Sequence, residues 1–485
     1  LSHRMLETIA MQRGCFFVSA LLIGLPVAAG TTEVNELRQE LEQMRRDYET
    51  RIQALERRLI AAENEAKLAA SKSEAAQREV QQVVAEAETP APAASGSQSS
   101  DGNAFNPAIS LVLTGSLAAY SNGEPGPLSG FPDAGSEARP EGLSLDESEL
   151  TLSSNVDDWF YGQATIAMHQ DGDDTAFDLE EAYLDTLSLP QGFGLRFGRF
   201  YSGIGYLNSF HPHAWDFSDA PLAYEAFLGG QYGDDGLRLS WLAPTDLLME
   251  FALETYRGDR YPGGGNGDWD LGSLQTASLR LGGDLGLSSS WQMGLSGLWA
   301  NPDSRSAGGH GHDHRDHEEE GDTDLVFSGD SRLALLDLVW KWAPGGDFSR
   351  RYLQLQGEYF YRDEDGDYLF EDTGDQAFAY RGDQRGFYLQ GVYQFRPRWR
   401  LGLRYDRLWA DNRLRPAPGN LELAEDSGLL SEHDPYRWSA MLDYNHSEFR
   451  RLRLQYEYDR RVPKQNQVWM LQYIMSLGAH GAHRY

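Results

Sequence analysis

A histidine-rich stretch at residues 309–324, GHGHDHRDHEEEGDTD, carries side chains that bind transition metals. Its candidate ligands are His310, His312, His314, His317, Asp313 and Asp316. Imidazole and carboxylate groups at this short spacing suit Zn²⁺, Cu²⁺ or Ni²⁺. The stretch contains glycine and lacks cysteine, so we expect weak, exchangeable binding of zinc or another divalent metal and no required cofactor. The alternative is a solvated loop whose metal affinity has no physiological role.

A second candidate site lies at residues 208–219, NSFHPHAWDFSD. His211 and His213 are two positions apart, so in an extended segment both point to the same side. Asp216, and Asp219 beyond it, could complete a small metal site. The segment follows a candidate strand and contains a proline and a tryptophan, so it could fold inward as a constriction. The alternative is a loop that packs its histidine and tryptophan side chains against a wall.

Charged side chains form two further patterns. Acidic residues cluster at 171–185 and 363–367, and an acidic channel mouth would concentrate cations. The alternative role of these carboxylates is solubility and calcium-bridged contact with lipopolysaccharide. The basic pattern consists of Arg196, Arg199, Arg400, Arg404, Arg451 and Arg453. These arginines could select anions, but we expect them to pair with inward acidic residues. No nucleophile elbow or zinc-protease motif is present, which predicts that the protein is not an enzyme.

The elements that must position these residues show a period of two. In residues 451–458, RLRLQYEY, Leu452 and Leu454 fall on one face while Arg453 and Glu457 fall on the other. This alternation recurs in segments about as long as a membrane-spanning strand, roughly 9–11 residues. It predicts an all-β, transmembrane antiparallel β-barrel, apolar toward lipid and polar toward a lumen.

Residues 105–485 contain seventeen candidate strands, one of them at 223–232. An even strand number near 16 is expected, with 14 or 18 as alternatives. The acidic stretch at 361–377 is expected to be an extracellular loop, and Arg396–Arg398 a short periplasmic turn.

Composition excludes some classes of protein. The chain has 485 residues with 42 basic and 74 acidic side chains, a net charge of −32, which argues against nucleic-acid binding. The mean hydropathy is −0.54, and no apolar run reaches the ~18 residues that a membrane helix needs. The single cysteine lies in the predicted export signal, so the mature chain is expected to have no disulfide.

Three segments precede the predicted barrel. Residues 1–30 have a basic start, an apolar run and small residues suited to cleavage, as in a signal peptide. Residues 31–88 carry apolar side chains every seven residues with a drifting seam, which predicts an α-helical coiled coil projecting into the periplasm. Residues 89–104, rich in proline, alanine, serine and glycine, read as a flexible linker.

Residues 194–208, GLRFGRFYSGIGYLN, resemble outer-membrane porins related to the phosphate-selective porins. The run at 211–247, together with the closing SLGAHGAH and the histidine-rich stretch, is similar to the group described as zinc-regulated outer-membrane receptors or porins of Gram-negative bacteria. The N-terminal helix is similar in placement to the periplasmic coil of sucrose porins. The resemblance implies a trimeric diffusion channel that is produced under zinc limitation. The charge of −32 disfavours a phosphate channel, and a helix plus linker leaves no folded plug for energised transport.

The resulting functional hypothesis is a passive porin of the cell outer membrane for small solutes, especially divalent cations such as zinc. Its expected partners are lipopolysaccharide, outer-membrane lipid, divalent metal ions and two further copies of itself in a homotrimer. One alternative is a general or anion-selective porin whose histidine loop is incidental. Another is an envelope tether that is anchored by the barrel and acts through the coiled coil.

Overall fold

The computed structural model describes residues 107–134, 139–171, 174–264, 272–306, 325–447 and 449–478. The predicted signal peptide, coiled coil and linker, and the histidine-rich stretch, lie outside the described residues.

The described chain is almost entirely β-strand. In chain order the strands are β1 (Ala108–Tyr120), β2 (Gly142–Leu145), β3 (Ser148–Asn155), β4 (Phe160–Asp171), β5 (Asp174–Thr186), β6 (Phe193–Tyr201), β7 (Gly233–Leu242), β8 (Leu248–Tyr256), β9 (Leu274–Asp284), β10 (Ser289–Ala300), β11 (Arg305–Ser306), β12 (Leu325–Trp342), β13 (Tyr352–Phe370), β14 (Gln376–Arg396), β15 (Trp399–Pro416), β16 (Tyr436–Ser447), β17 (Arg450–Arg460) and β18 (Asn466–Gly478). Two short helices accompany them, α1 (Leu222–Leu228) and α2 (Leu421–Asp426).

Each strand pairs antiparallel with its neighbours, and the sheet closes because β1 pairs with β18 from Ser110 opposite Gly478 to Tyr120 opposite Val468. β2 and β3 both pair with β1, so they are two parts of one interrupted strand. The short β11 pairs with β12 beside β10. The eighteen assigned segments therefore form a closed barrel of sixteen strands, which confirms the predicted fold class and strand number.

The two faces of the barrel follow the period-two pattern. In β17, Leu452 and Leu454 are 46% and 43% exposed on the outer face, whereas Arg453 and Glu457 are 0% and 4% exposed on the inner face. Side chains of successive strand residues point to opposite faces, so one register sets both surfaces. An apolar outside and a polar inside are the arrangement of a barrel that spans a lipid bilayer.

Two local predictions were wrong. Residues 223–232 are not a strand, because they fall mostly in the helix α1. The stretch 361–377 is not a long loop, because β13 continues to Phe370 and β14 begins at Gln376. The turn at Arg396–Arg398 lies, as predicted, between the end of β14 and the start of β15. Among the described residues, no helix is long and apolar enough to cross a membrane.

Candidate functional site in the barrel lumen

The segment between β6 and β7, residues 202–232, folds into the barrel, and we call it the lumen loop. Asn208 ties its two ends together. The Asn208 side chain donates to the carbonyl oxygens of Ser202 and Tyr232 at 2.8 Å each, and its Oδ1 accepts from the Tyr232 N–H at 2.8 Å. Because Asn208 is fully buried, these bonds are shielded from water, and the loop leaves and re-enters the wall at one point.

The helix α1 is the centre of the lumen loop. All seven of its residues are buried, although a helix this short is not stable alone. Packing inside the barrel stabilises it: the Phe227 ring stacks on Phe360 at 5.5 Å, and Tyr224 meets Phe360 edge-on at 5.3 Å. Gly229 ends the helix with a left-handed φ of 64°, a conformation that glycine adopts without steric cost.

Glu358 on β13 anchors the first part of the loop. Its carboxylate accepts from the N–H groups of Tyr206 and Leu207, both at 3.1 Å, and from the Tyr224 hydroxyl at 3.0 Å. Gly205 permits this close approach, because a Cβ there would lie 2.5 Å from a Glu358 oxygen. The chain at Gly205 also has a φ of +66°, so two independent constraints require glycine.

The second part of the loop meets an arginine-rich wall on β15–β17. Asp216 accepts from Arg400 at 2.8 Å. Asp219 accepts from Arg404 and lies 2.6 Å from Arg437. The arginines also pair with acidic residues of the wall itself, as when Arg404 Nε lies 3.0 Å from Asp406. We call this set the arginine side of the loop.

The predicted pairing of the inward arginines is confirmed. Arg196 lies 2.7 Å from Asp185, and Arg199 lies 2.8 Å from Asp235. On the arginine side, Asp443 contacts Arg400, Arg451 and Arg453. These side chains therefore do not form an exposed basic constriction.

Buried charges on the arginine side shift the pKa of the Asp219 carboxyl group. Burial raises the pKa of Asp219, but the guanidinium groups of Arg404 and Arg437 outweigh that effect and hold the pKa well below its usual range. Asp219 is therefore ionised throughout the physiological pH range.

The stretch of the loop between these two parts meets carboxylates on β3 and β5. His211 Nδ1 lies 3.0 Å from Glu149 Oε2 and 3.4 Å from Glu180 Oε2, and its Nε2 lies 3.0 Å from Glu181 Oε2. His213 Nδ1 lies 2.6 Å from Glu149 Oε1. We call these five residues the His–Glu cluster.

The cluster is almost completely enclosed, since Glu149 is 2% exposed and His213 is 9% exposed. Burial lowers the pKa of His211, but the carboxylates of Glu149, Glu180 and Glu181 raise it well above its usual range. Imidazole and carboxylate donors of this kind suit Zn²⁺ better than Mg²⁺ or Ca²⁺.

The structure places His211 and His213 both beside Glu149, with His213 in a short 3-10 turn instead of an extended segment. It places Asp216 elsewhere, with Arg400. The other predicted ligands, His310, His312, His314, His317, Asp313 and Asp316, lie outside the described residues. Sequence reasoning missed Glu149 as a partner and assigned Glu180 and Glu181 to an acidic mouth.

A β-bulge explains how the two adjacent glutamates, Glu180 and Glu181, both reach the lumen. Thr165 on β4 pairs with Glu181, but the next residue, Ile166, pairs with Leu179, so Glu180 is skipped. The extra residue breaks the alternation of faces and lets both glutamates reach the lumen. Strict alternation of faces would predict that one of these two glutamates points outward, toward lipid.

The closed sheet, its apolar outer face and the lumen loop define a membrane-spanning antiparallel β-barrel of sixteen strands. No protein-family model matches the chain. An uncharacterized protein of Aquifex aeolicus (strain VF5) is 31% identical over 353 residues, which are 70% of this chain and 70% of that relative. The chain belongs to the same family as this Aquifex protein.

Several solved structures resemble this chain at low sequence identity. The outer membrane channel DcaP of Acinetobacter baumannii has 12% identity and a TM-score of 0.48, covering 77% of this chain and 97% of that chain. An anion-selective porin from Comamonas acidovorans has 11% identity and a TM-score of 0.45, covering 77% and 99%. OprB of Pseudomonas putida has 12% identity and a TM-score of 0.44, covering 77% and 94%.

Proposed function

We propose that the protein is a passive outer-membrane porin for small solutes, in which the lumen loop narrows the passage and divalent cations such as zinc are favoured. The observation that carries this proposal is a loop held inside a polar lumen by inward-facing side chains of several strands, among them β3, β5, β13 and β15. A fixed internal loop sets the width and charge of a passage without any moving part. The homotrimer, the periplasmic coiled coil and the contact with lipopolysaccharide belong to the same proposal.

The charge distribution supports cations over anions. The inward arginines are already paired with carboxylates, as in Arg400 with Asp216 and Asp443. The chain as a whole carries −32. An excess of carboxylate near a passage raises the local concentration of cations and repels anions. The histidine-rich stretch adds exchangeable ligands for zinc, and weak sites let an ion leave as well as enter.

Ion selectivity in a planar bilayer tests the proposal. The purified full-length protein is inserted, and the reversal potential is measured across a KCl gradient before and after Zn²⁺ is added. We expect a cation-selective current that zinc reduces. An anion-selective current would contradict the cation proposal, and complete absence of current would contradict the porin and favour the envelope tether.

A matched pair of variants tests the role of the histidine-rich stretch. One variant replaces His310, His312, His314 and His317 with alanine, and the control replaces His433, whose Nε2 lies 2.7 Å from the Arg460 carbonyl oxygen. We expect the four-histidine variant to be less sensitive to zinc than the control. Equal zinc sensitivity in both would make the histidine-rich stretch incidental to conduction.

A further inference from the structure

We propose that Glu149, Glu180 and His211 bind a resident divalent metal ion, Zn²⁺ by their chemistry, which fastens the lumen loop to the barrel wall. His211 belongs to the loop, Glu149 to β3 and Glu180 to β5. The ion would therefore join three separate segments of the chain. This role differs from transport, because a resident ion stays in place while solutes pass.

The spacing of the three ligand atoms fits a small metal ion. Glu149, Glu180 and His211 each offer one ligand atom, and these atoms all lie within 4.8 Å of one another. Two of the separations are 3.0 Å and 3.4 Å, both measured from His211 Nδ1. In a tetrahedral zinc site with bonds of about 2.0–2.1 Å, neighbouring ligand atoms are roughly 3.3 Å apart. The third separation, between the Glu149 and Glu180 oxygens, is at most 4.8 Å.

The outward-facing atom of each ligand already has a partner. His211 Nε2 lies 3.0 Å from Glu181 Oε2, and Glu180 Oε1 accepts from the Tyr201 hydroxyl at 2.8 Å. Glu149 Oε1 lies 2.6 Å from His213 Nδ1. Metal-binding histidines usually donate their second N–H to a carboxylate, which fixes the tautomer and the ring orientation. The cluster therefore has the supporting contacts of a metal site as well as its ligands.

Two of the inward-facing atoms make no hydrogen bond of acceptable geometry. His211 Nδ1 and Glu180 Oε2 are buried without such a bond among the described residues, although His211 Nδ1 lies 3.0 Å from Glu149 Oε2 and 3.4 Å from Glu180 Oε2. Glu180 itself is 7% exposed. Buried polar atoms without partners are rare in native structures. An ion between these two atoms would satisfy both.

Charge balance favours an ion at the same place. Glu149, Glu180 and Glu181 face only two imidazoles within ion-pair distance, and the buried carboxyl group of Glu147 lies beside Glu180. No arginine or lysine of the described residues lies within 4.0 Å of these carboxyl groups. Buried carboxylates require compensation by cations or protons. A divalent ion compensates two negative charges through direct bonds and leaves both histidines neutral, as metal ligation requires.

Equilibrium metal binding tests the site. The full-length protein with His310, His312, His314 and His317 replaced by alanine is stripped with a chelator and then dialysed against Zn²⁺. We expect one zinc ion per chain, and in crystals an anomalous scattering peak between His211 Nδ1 and the two glutamates. Absence of bound zinc, or a peak elsewhere, would overturn the proposal.

Three variants, made in the protein that lacks the four loop histidines, identify the ligands by how much each substitution weakens zinc binding. His211→Ala and Glu180→Gln should each weaken zinc binding by roughly 100-fold or more, because each removes a ligand. Glu181→Gln, which removes only the partner of His211 Nε2, should weaken it about 10-fold to 100-fold. His433→Ala, the matched control, should leave it unchanged. Equal binding in all four variants would overturn the assignment.

Two measurements separate a loss of zinc binding from a failure to fold and from a loss of conduction. A folded barrel migrates differently from its heated form on an electrophoresis gel, so each variant is compared only if it keeps that difference. The anomalous peak of the parent protein needs no variant at all. A protein that binds one zinc ion in the cluster but conducts no current would defeat the porin proposal and leave the metal site intact.

Discussion

The lumen loop meets the barrel wall on two sides that differ in how their charges are balanced. On the arginine side, Asp216 and Asp219 contact Arg400, Arg404 and Arg437 directly. At the His–Glu cluster, three carboxylates and the adjacent buried carboxyl group of Glu147 surround two imidazoles. Among the described residues, no guanidinium or ammonium group lies within ion-pair distance of them. The first side carries charges of both signs within the protein, whereas the second carries an excess of carboxylate.

This difference in charge balance means that the lumen loop is attached to the wall permanently on one side, whereas on the other side its attachment depends on the solution. Ion pairs that are buried and hydrogen-bonded hold their geometry whatever the solution contains, provided that both partners stay ionised. A group of carboxylates in excess depends on protons or metal ions supplied from outside. One side of the loop is therefore fixed by the chain itself, and the attachment of the other side depends on its surroundings.

The largest expected effect comes from breaking the arginine side. Asp443 is fully buried and lies 2.9 Å from Arg453. Asp443→Ala leaves buried guanidinium groups uncompensated, so we expect the free energy of unfolding to fall by about 3–5 kcal/mol. Urea unfolding of the refolded barrel, followed by tryptophan fluorescence, measures it.

The control for Asp443 is an acidic residue in an exposed pair. Asp411 lies 3.4 Å from Arg413, and the two side chains are 66% and 72% exposed. Asp411→Ala should cost less than about 1 kcal/mol, because water screens the pair. If the two substitutions had equal effects, burial would not distinguish the ion pairs and the comparison would fail.

Zinc should stabilise the His–Glu cluster and leave the arginine side unaffected. In the background lacking the four histidines of the 309–324 stretch, free Zn²⁺ at 100 times its Kd should raise the free energy of unfolding by about 2.7 kcal/mol. The increase should disappear in His211→Ala and persist in Asp219→Asn. Unfolding in chelator and in buffered zinc measures both, and an equal increase in the two variants would argue against this location.

Acid should weaken the arginine side through Asp219. The pKa of this carboxyl is lower in the folded protein than in the unfolded chain, because Arg404 and Arg437 outweigh burial. Its stabilisation is therefore fully present above the unfolded pKa of about 3.9 and is lost as the pH falls through the folded pKa.

A neutral isostere isolates this effect. Asp219→Asn should cost roughly 2 kcal/mol at pH 7, where charge-assisted hydrogen bonds are lost. The gap between wild type and variant should narrow as the pH is lowered below about 3.9. Unfolding curves at several pH values measure the gap, and a gap that stayed constant would mean that the Asp219 charge does not hold the loop.

The strands were predictable because one physical rule governs each of them. A strand between lipid and a polar lumen must alternate apolar and polar residues, and β17 does so from Leu452 to Glu457. The lumen loop obeys no such rule. Residues 223–232 looked like a strand, yet α1 forms there because Tyr224 and Phe227 pack on Phe360, a residue distant in sequence.

The candidate site was predictable only in part for the same reason. The spacing of His211 and His213 predicted that they share a side, but it could not identify their partners on β3 and β5. Glu149 lies 64 positions before His213 in the chain, and Glu180 faces inward because of the bulge opposite Thr165 and Ile166. Neither the pairing of distant strands nor a bulge has a local signature in the chain.

The smallest expected effect is that of removing one negative charge from the His–Glu cluster. The resulting change in the free energy of unfolding should have the opposite sign to that of the same change on the arginine side. In chelator, Glu180→Gln removes one carboxylate from a group that has too many, while the amide oxygen can still accept from the Tyr201 hydroxyl. We expect the free energy of unfolding to stay level or rise by up to ~1 kcal/mol, since like charges at close range repel. Asp443→Asn, the corresponding change on the arginine side, should lower it. A loss of stability in Glu180→Gln without metal would mean that the cluster is already balanced by protons, and a resident ion would then have no charge to compensate.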